Sequence, residues 1–328
     1  PCRARRRPDQ GRRGGRAHRD RYRRLRLGCD GCRPTLDRAR PARADTSDHP
    51  RHAEPPGGVL SGQTMSSIAE RLAPGLASDE AQLPAEARFR EVGRGVRFDE
   101  CDERGRMRAA ALLRHAQDLA WRHSEQLEYG REWYEARGVG WVVRSVDLLI
   151  DEPPQSNEDL VGTTALVGFR HVMARRHTRL FAASGRVVAD AAIDWVMTDR
   201  EGRPARFPEE FESFVARVGA TFTPNKIPAA TPSGVVVETA IRRADIDPLG
   251  HVNHAAWLEI VEEGVASVAP AHLEAPRRRI RIEYLAVTSE RAARTHILAM
   301  DGGERLRVDV TDTDGIPLVR AELTSETR

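Results

Sequence analysis

Apolar positions along this chain change spacing twice in the same way, first from residue 96 to 199 and again from residue 241 to the end. Ala109, Leu112, Leu113, Ala116 and Ala120 fall at i, i+3, i+4, i+7 and i+11, which predicts a helix over 109–123 with one buried face. Ala256, Ile260, Val261 and Val265 make a similar stripe in "AAWLEIVEEGVASVA". Downstream of each helix the period drops to about two, the signature of half-buried strands. "WVVRSVDLLI" sets Val142, Val146, Leu148 and Ile150 on one face, and "RVVADAAIDWVMTD" does the same with Val187, Ala189, Ala191, Ile193, Trp195 and Met197. "RRRIRIEYLAV", "THILAM", "RLRVDVTD" and "PLVRAELT" follow in the second half, separated by Gly- and Asp-rich turns.

The two halves share more than a period. "VRFDECDERGRM" (96–107) lies over "IRRADIDPLGHV" (241–252) at a constant offset of 145, with Asp102 on Asp247 and Gly105 on Gly250. Each half then reads as strand, long helix and a run of antiparallel strands, an α+β pattern in which a sheet covers the helix. Between them "ATFTPNKIPAATPSG" (220–234), with three prolines and little periodicity, reads as a linker or crossover loop. The boundaries expected are an N-terminal extension over 1–85, a first repeat over 86–218, a linker over 219–234 and a second repeat over 235–328.

Charge alters this picture only at the N-terminus. Residues 1–64 hold 17 arginines against seven acids, and the remainder carries 35 basic and 42 acidic groups, so the net +3 hides a mildly acidic body. Rich in Arg, Gly and Pro, the first segment cannot bury enough surface to offset its chain entropy. Clustered arginine fits a nucleic-acid-binding arm. An upstream frame ahead of a start at Met65 accounts for the same composition, and on that expectation the protein binds no nucleic acid. Three of the four cysteines, Cys2, Cys29 and Cys32, lie there, with only Cys101 in the body. A lone C-x-x-C without partner ligands is a weak metal signal, and one thiol makes no disulfide framework, so a reducing, cytoplasmic setting is expected. No apolar run reaches the length of a membrane span.

These elements, with Asp-x-x-x-His-Val-Asn at the second helix start, resemble the fatty acyl-ACP thioesterases of plants and bacteria over nearly all of residues 90–328. "GWVVRSVDLLIDEPP" is similar to that family's strand bearing Trp-Val and a following Arg, with Trp141 and Arg144 in register. "DIDPLGHVNHAAWLEIVEE" resembles its Asp-x-Asn-x-His-Val-Asn-Asn signature, with Asp247, His251 and Asn253 in register and Glu263 matching a helix glutamate. Leu249 stands where the family has the middle Asn, and Val287 where plant members have a glutamate; Glu283 and Glu290 lie nearby. The resemblance implies a double hotdog: two tandem repeats, each an antiparallel sheet wrapped around a central helix.

It further implies hydrolysis of a fatty acyl thioester on acyl carrier protein, or on CoA, without metal or organic cofactor. Asp247, His251 and Asn253 would be catalytic, and Gly250, Trp141, Arg144 and Glu263 would bind substrate. Read from the residues alone, Asp247 is a general base or nucleophile, or a turn cap paired with Arg243. His251 orients water, or is a histidine satisfied by a backbone carbonyl. Asn253 caps the helix or bonds to the other half, and His254 has no assigned role. Gly250 would let a carbonyl reach the amides of the turn and the helix start. In the first half Arg106 replaces the histidine and cannot act as a base, so that half is expected to bind the acyl chain, with Trp141 and Trp195 lining its pocket. The basic runs 170–179 and 276–281 are candidate docking surfaces for the acidic carrier protein. No membrane partner is expected, and a homodimer of such chains stays open. Leu249 and Val287 favour a second reading, a non-catalytic acyl-binding or regulatory protein.

Overall fold

Strands built on these alternating segments join into one antiparallel sheet in a computed structural model, which describes residues 80–286, 288, 291–300 and 303–326. All of them fall within the unit Gly58–Arg328. The first repeat contributes β1 (Arg88–Gly95), β2 (Val139–Asp151), β3 (Asp159–Arg170), β4 (Met173–Ala182) and β5 (Val187–Asp199). The second contributes β6 (Val235–Ala240), β7 (Arg277–Tyr284), β8 (Ala292–Met300), β9 (Arg305–Thr311) and β10 (Pro317–Glu326). Their order, β1-β3-β4-β5-β2-β7-β10-β9-β8-β6, is the same sequence of strands read from either edge. The repeats meet where β2 pairs with β7, from Ser145 opposite Glu283 to Asp151 opposite Arg277.

Two long helices, α1 (Ala109–Gln126) and α4 (His254–Val268), bury their stripes in one shared core. Leu112, Leu113, Val261 and Val265 are at most 1% exposed, and each such side chain contributes roughly 1.5–3 kcal/mol of burial. The remaining helices are α2 (Arg131–Arg137), α3 (Glu209–Val218) and α5 (Ala271–Glu274). The offset of 145 holds through the helix starts: the bridge Cys101–Met107 recurs as Ile246–Val252, and the short 3-10 turn 98–100 recurs as 243–245. Arg114 on α1 pairs with Glu259 on α4 at 2.8 Å, so positions 145 apart touch across the approximate two-fold between the repeats.

Two strand expectations shift by one residue. A bulge between Val143 and Ser145 reverses the parity of β2, so Val143 is buried in place of Val142. At the start of β5 an irregularity in the β4 pairing leaves Val187 exposed and Val188 buried. Of residues 80–85, expected in the extension, Glu80 is buried: it is 4% exposed and pairs with His177 and Arg179. The rest of that extension, with Cys2, Cys29, Cys32 and Met65, lies outside the described residues.

The linker is a crossover on the sheet face opposite α1 and α4, held step by step in strand order. The Ala220 carbonyl accepts from Phe169 on β3, Thr223 from Arg175 on β4, and the Asn225 amide donates to Asp194 on β5. The Ile227 amide donates to Glu283 on β7, and the Pro228 carbonyl accepts from Arg307 on β9. At Gly234 (φ 96°) a Cβ would come within 1.9 Å of the Ile297 carbonyl oxygen on β8, so only glycine fits.

Candidate active site

The Asp-x-x-Gly turn that attracts notice at 247–250 is built in the same way at Asp102, Asp199, Asp247 and Asp312. In each, one carboxylate oxygen accepts the amides of residues i+2 and i+4, the i+3 glycine has φ between 76° and 86°, and backbone bonds close the loop. An Asp and a Gly at this spacing therefore specify a turn. Chemistry must come from what surrounds it.

The turns at Asp102 and Asp247 differ in their last residue. Arg106 donates Nε to the second oxygen of Asp102 at 3.0 Å, so both oxygens are engaged. Burial alone would raise the Asp102 carboxyl, but hydrogen bonds from Arg106 and Arg104 outweigh it and hold it below its ordinary range. His251 stands in that place in the second repeat, and Oδ2 of Asp247 has no partner among the described residues. Asp247 and His251 are both partly exposed, and among the described residues no ion pair joins Arg243 to Asp247; the neighbouring Arg242 pairs with Asp245 and Glu259.

Asn253 does both things expected of it. Its Oδ1 caps α4 by accepting the Ala255 amide at 2.9 Å, and its Nδ2 donates to Gln117 Oε1 on α1 of the other repeat at 3.0 Å. Gln117 carried no motif in the sequence; its signal was the offset, which places it on Glu262 of α4. Burial pushes Glu262 up to about 7 despite the nearby Arg278.

Other expectations need correction. The amides of Leu249, Gly250 and His251 all donate back to Asp247, so the turn offers no free donor to a carbonyl; Gly250 supplies the open backbone shape alone. The His254 amide at the helix start has no acceptor among the described residues. Trp141 lies in a separate cluster with Phe207 and Phe211 under α3, its indole N–H donating to Tyr134. Arg144 faces the linker side, donating to Glu283 at 2.8 Å and to the Tyr284 carbonyl. Glu263 is on the exposed face of α4. None of these three meets the Asp247 turn. Glu283 is likewise held on the linker face, while Val287 and Glu290 lie outside the described residues. The basic runs are mostly spent within the fold: Arg175 on Asp194, Arg176 on His123, Arg279 on Asp147 and Arg281 on Glu322.

Trp195, by contrast, packs against the main core beside His254. His254 is 8% exposed and held neutral, down to about 4, by burial and by the charge of Arg114.

Residues 93–214 match the family model of the acyl-ACP thioesterase N-terminal domain, which places the match on the first repeat. Over that stretch the chain is similar to the acyl-ACP thioesterases. Solved thioesterases share its fold over both repeats. A protein described as an oleoyl thioesterase from Lactobacillus plantarum is 20% identical, with a TM-score of 0.62 over 75% of this chain and 99% of its own. An acyl-ACP thioesterase from Bacteroides thetaiotaomicron is 17% identical, with a TM-score of 0.62 over 74% and 100%. The 12:0-ACP thioesterase of Umbellularia californica is 15% identical, with a TM-score of 0.61 over 74% and 95%. Among curated proteins none matches this sequence. The double hotdog is thus the common frame.

Proposed function

We propose that this acyl-ACP thioesterase relative hydrolyses the thioester of a fatty acyl group carried on acyl carrier protein, at the start of α4. The observation that carries this reading is the Oδ2 of Asp247, which has no partner among the described residues. The same turn in the first repeat has that oxygen taken by Arg106. Asp247 Oδ2 accepts a proton from water while the water oxygen bonds to the carbonyl carbon. His251 orients that water. Collapse of the adduct breaks the C–S bond and expels a thiolate, which takes up the proton; such a leaving group makes little demand on an acid. Asn253, fixed between α1 and α4, keeps the turn and the opposing repeat in register. A removed base of this kind typically costs a factor of about 10²–10⁴ in rate.

Leu249 supports a second reading, binding of acyl groups without hydrolysis, because it presents an apolar side chain, 59% exposed, at the tip of the turn. Free-thiol release from a panel of acyl-ACP and acyl-CoA substrates separates the two. Release with acyl-ACP preferred supports the first reading, and acyl binding without release supports the second.

A further inference from the structure

Two buried ring nitrogens, one from each repeat, lack any hydrogen-bond partner among the described residues and belong to rings that meet. Nε2 of His254, the first residue of α4, is fully buried without a partner, and so is Nε1 of Trp195 on β5. Their ring centroids are 6.1 Å apart at an interplanar angle of 68°. Tyr284 on β7 packs on the other side of His254, with centroids 6.2 Å apart, but its hydroxyl is spent on the His254 carbonyl at 2.9 Å. It fixes the helix start and satisfies neither nitrogen. The indole N–H only donates, so whatever occupies this place must present an acceptor. The charged group that acts on His254 is Arg114, which cannot accept.

Orphaned buried polar atoms are rare and costly, and two together one residue beyond Asn253 point to a ligand atom. Building on the hydrolysis reading, we propose that Trp195 Nε1 and His254 Nε2 together hold the carbonyl oxygen of the bound thioester. His254 is then a catalytic residue in addition to Asp247, acting as a neutral donor with its proton on Nε2. No proton leaves it during the reaction. Negative charge grows on the carbonyl oxygen as water adds, the two N–H groups stabilise that charge, and it returns to the carbon as the C–S bond breaks.

Trp195→Phe deletes the indole N–H while keeping an aromatic ring in the core. It is expected to lower kcat about 10²–10³-fold, the cost of one oxyanion donor, with KM changed less than threefold and without loss of melting temperature. His254→Leu should do the same, and the double variant should fall by less than the product of the two. A second measurement does not depend on turnover. The ¹⁵N resonance of His254 Nε2 is followed on adding an acyl-pantetheine amide, which keeps the carbonyl, or the matching thioether, which lacks it. A shift with the amide alone is expected. Wild-type kcat in both single variants overturns the proposal, as does an Nε2 signal that ignores the amide or responds equally to both probes. An inactive wild type whose Nε2 still shifts with the amide alone would sink the hydrolysis reading and leave the carbonyl site standing.

Discussion

Asn253 Nδ2 donates to Gln117 Oε1 at 3.0 Å, tying the first turn of α4 in the second repeat to the middle of α1 in the first. The bond joins the capping residue of the site-bearing helix to a position that its own repeat relates to Glu262. Gln117→Met removes the bond and keeps the side-chain length. Stability should fall by about 0.5–1.5 kcal/mol in denaturant titration, and Asn253→Ala should cost about 1 kcal/mol more than that by uncapping α4. A double-mutant cycle between the two positions should show coupling; strict additivity would mean the bond contributes nothing.

The contrast between Asp102 and Asp247 suggests a swap. His251→Arg should recreate the first-repeat turn, with a guanidinium on the second oxygen of Asp247. Thiol release should fall about 100-fold or more while the melting temperature holds or rises, since the ion pair adds to an intact turn. Full activity in this variant would mean that Oδ2 is not the working atom.

Arg144 and Glu283 test the reassignment of a motif residue to the linker clamp. Arg144→Met leaves the Glu283 carboxylate, 6% exposed, with the Ile227 amide as its remaining partner. A loss of about 1–3 kcal/mol is expected, with kcat unchanged in the folded fraction. A raised KM with unchanged stability would return Arg144 to substrate binding.

Stability should also respond to acid in a particular window. His123 is 0% exposed, donating from Nε2 to the Glu86 carbonyl and accepting from Arg176 at Nδ1. Burial first and the Arg176 charge second hold it down to about 4, and His254 is held down to a similar value. Folded-state values below the unfolded 6.5 mean that the unfolded chain binds more protons between pH 6.5 and 4. The stability contributed by each neutral ring is therefore present above pH 6.5 and lost as pH falls toward 4. Glu262, raised by burial to about 7, works the other way: it favours the fold at low pH and loses that contribution as pH rises from about 4.5 to 7. Glu262→Gln should steepen the net loss of stability on acidification from pH 7 to 4.5, followed by melting temperature. An unchanged slope would contradict the raised value.

Much of the architecture was legible because its signals are local. The stripe on 109–123, the alternation in β2 and β5, and the repeat at 145 each follow from backbone periodicity. What failed was parity across bulges, as at Val143, and the function of residues whose partners come from the other repeat. Gln117 and Trp195 acquire their meaning only when β2 meets β7 and α1 meets α4. Arg144 and Trp141 misled in the opposite direction: both match a strand motif, but one faces the linker and the other sits under α3. Asp247 was visible, yet its turn recurs at Asp102, Asp199 and Asp312, and only the missing partner on Oδ2 sets it apart from Asp102.

The central claim is that Asp247 drives thioester hydrolysis, and Asp247→Asn tests it most directly, since the amide oxygen can still accept the Leu249 and His251 amides and keep the turn. Free thiol released from acyl-ACP should be readily measured with the wild-type chain and reduced at least 100-fold in the variant, with melting temperature within a few degrees. Equal thiol release by the two proteins would contradict the claim.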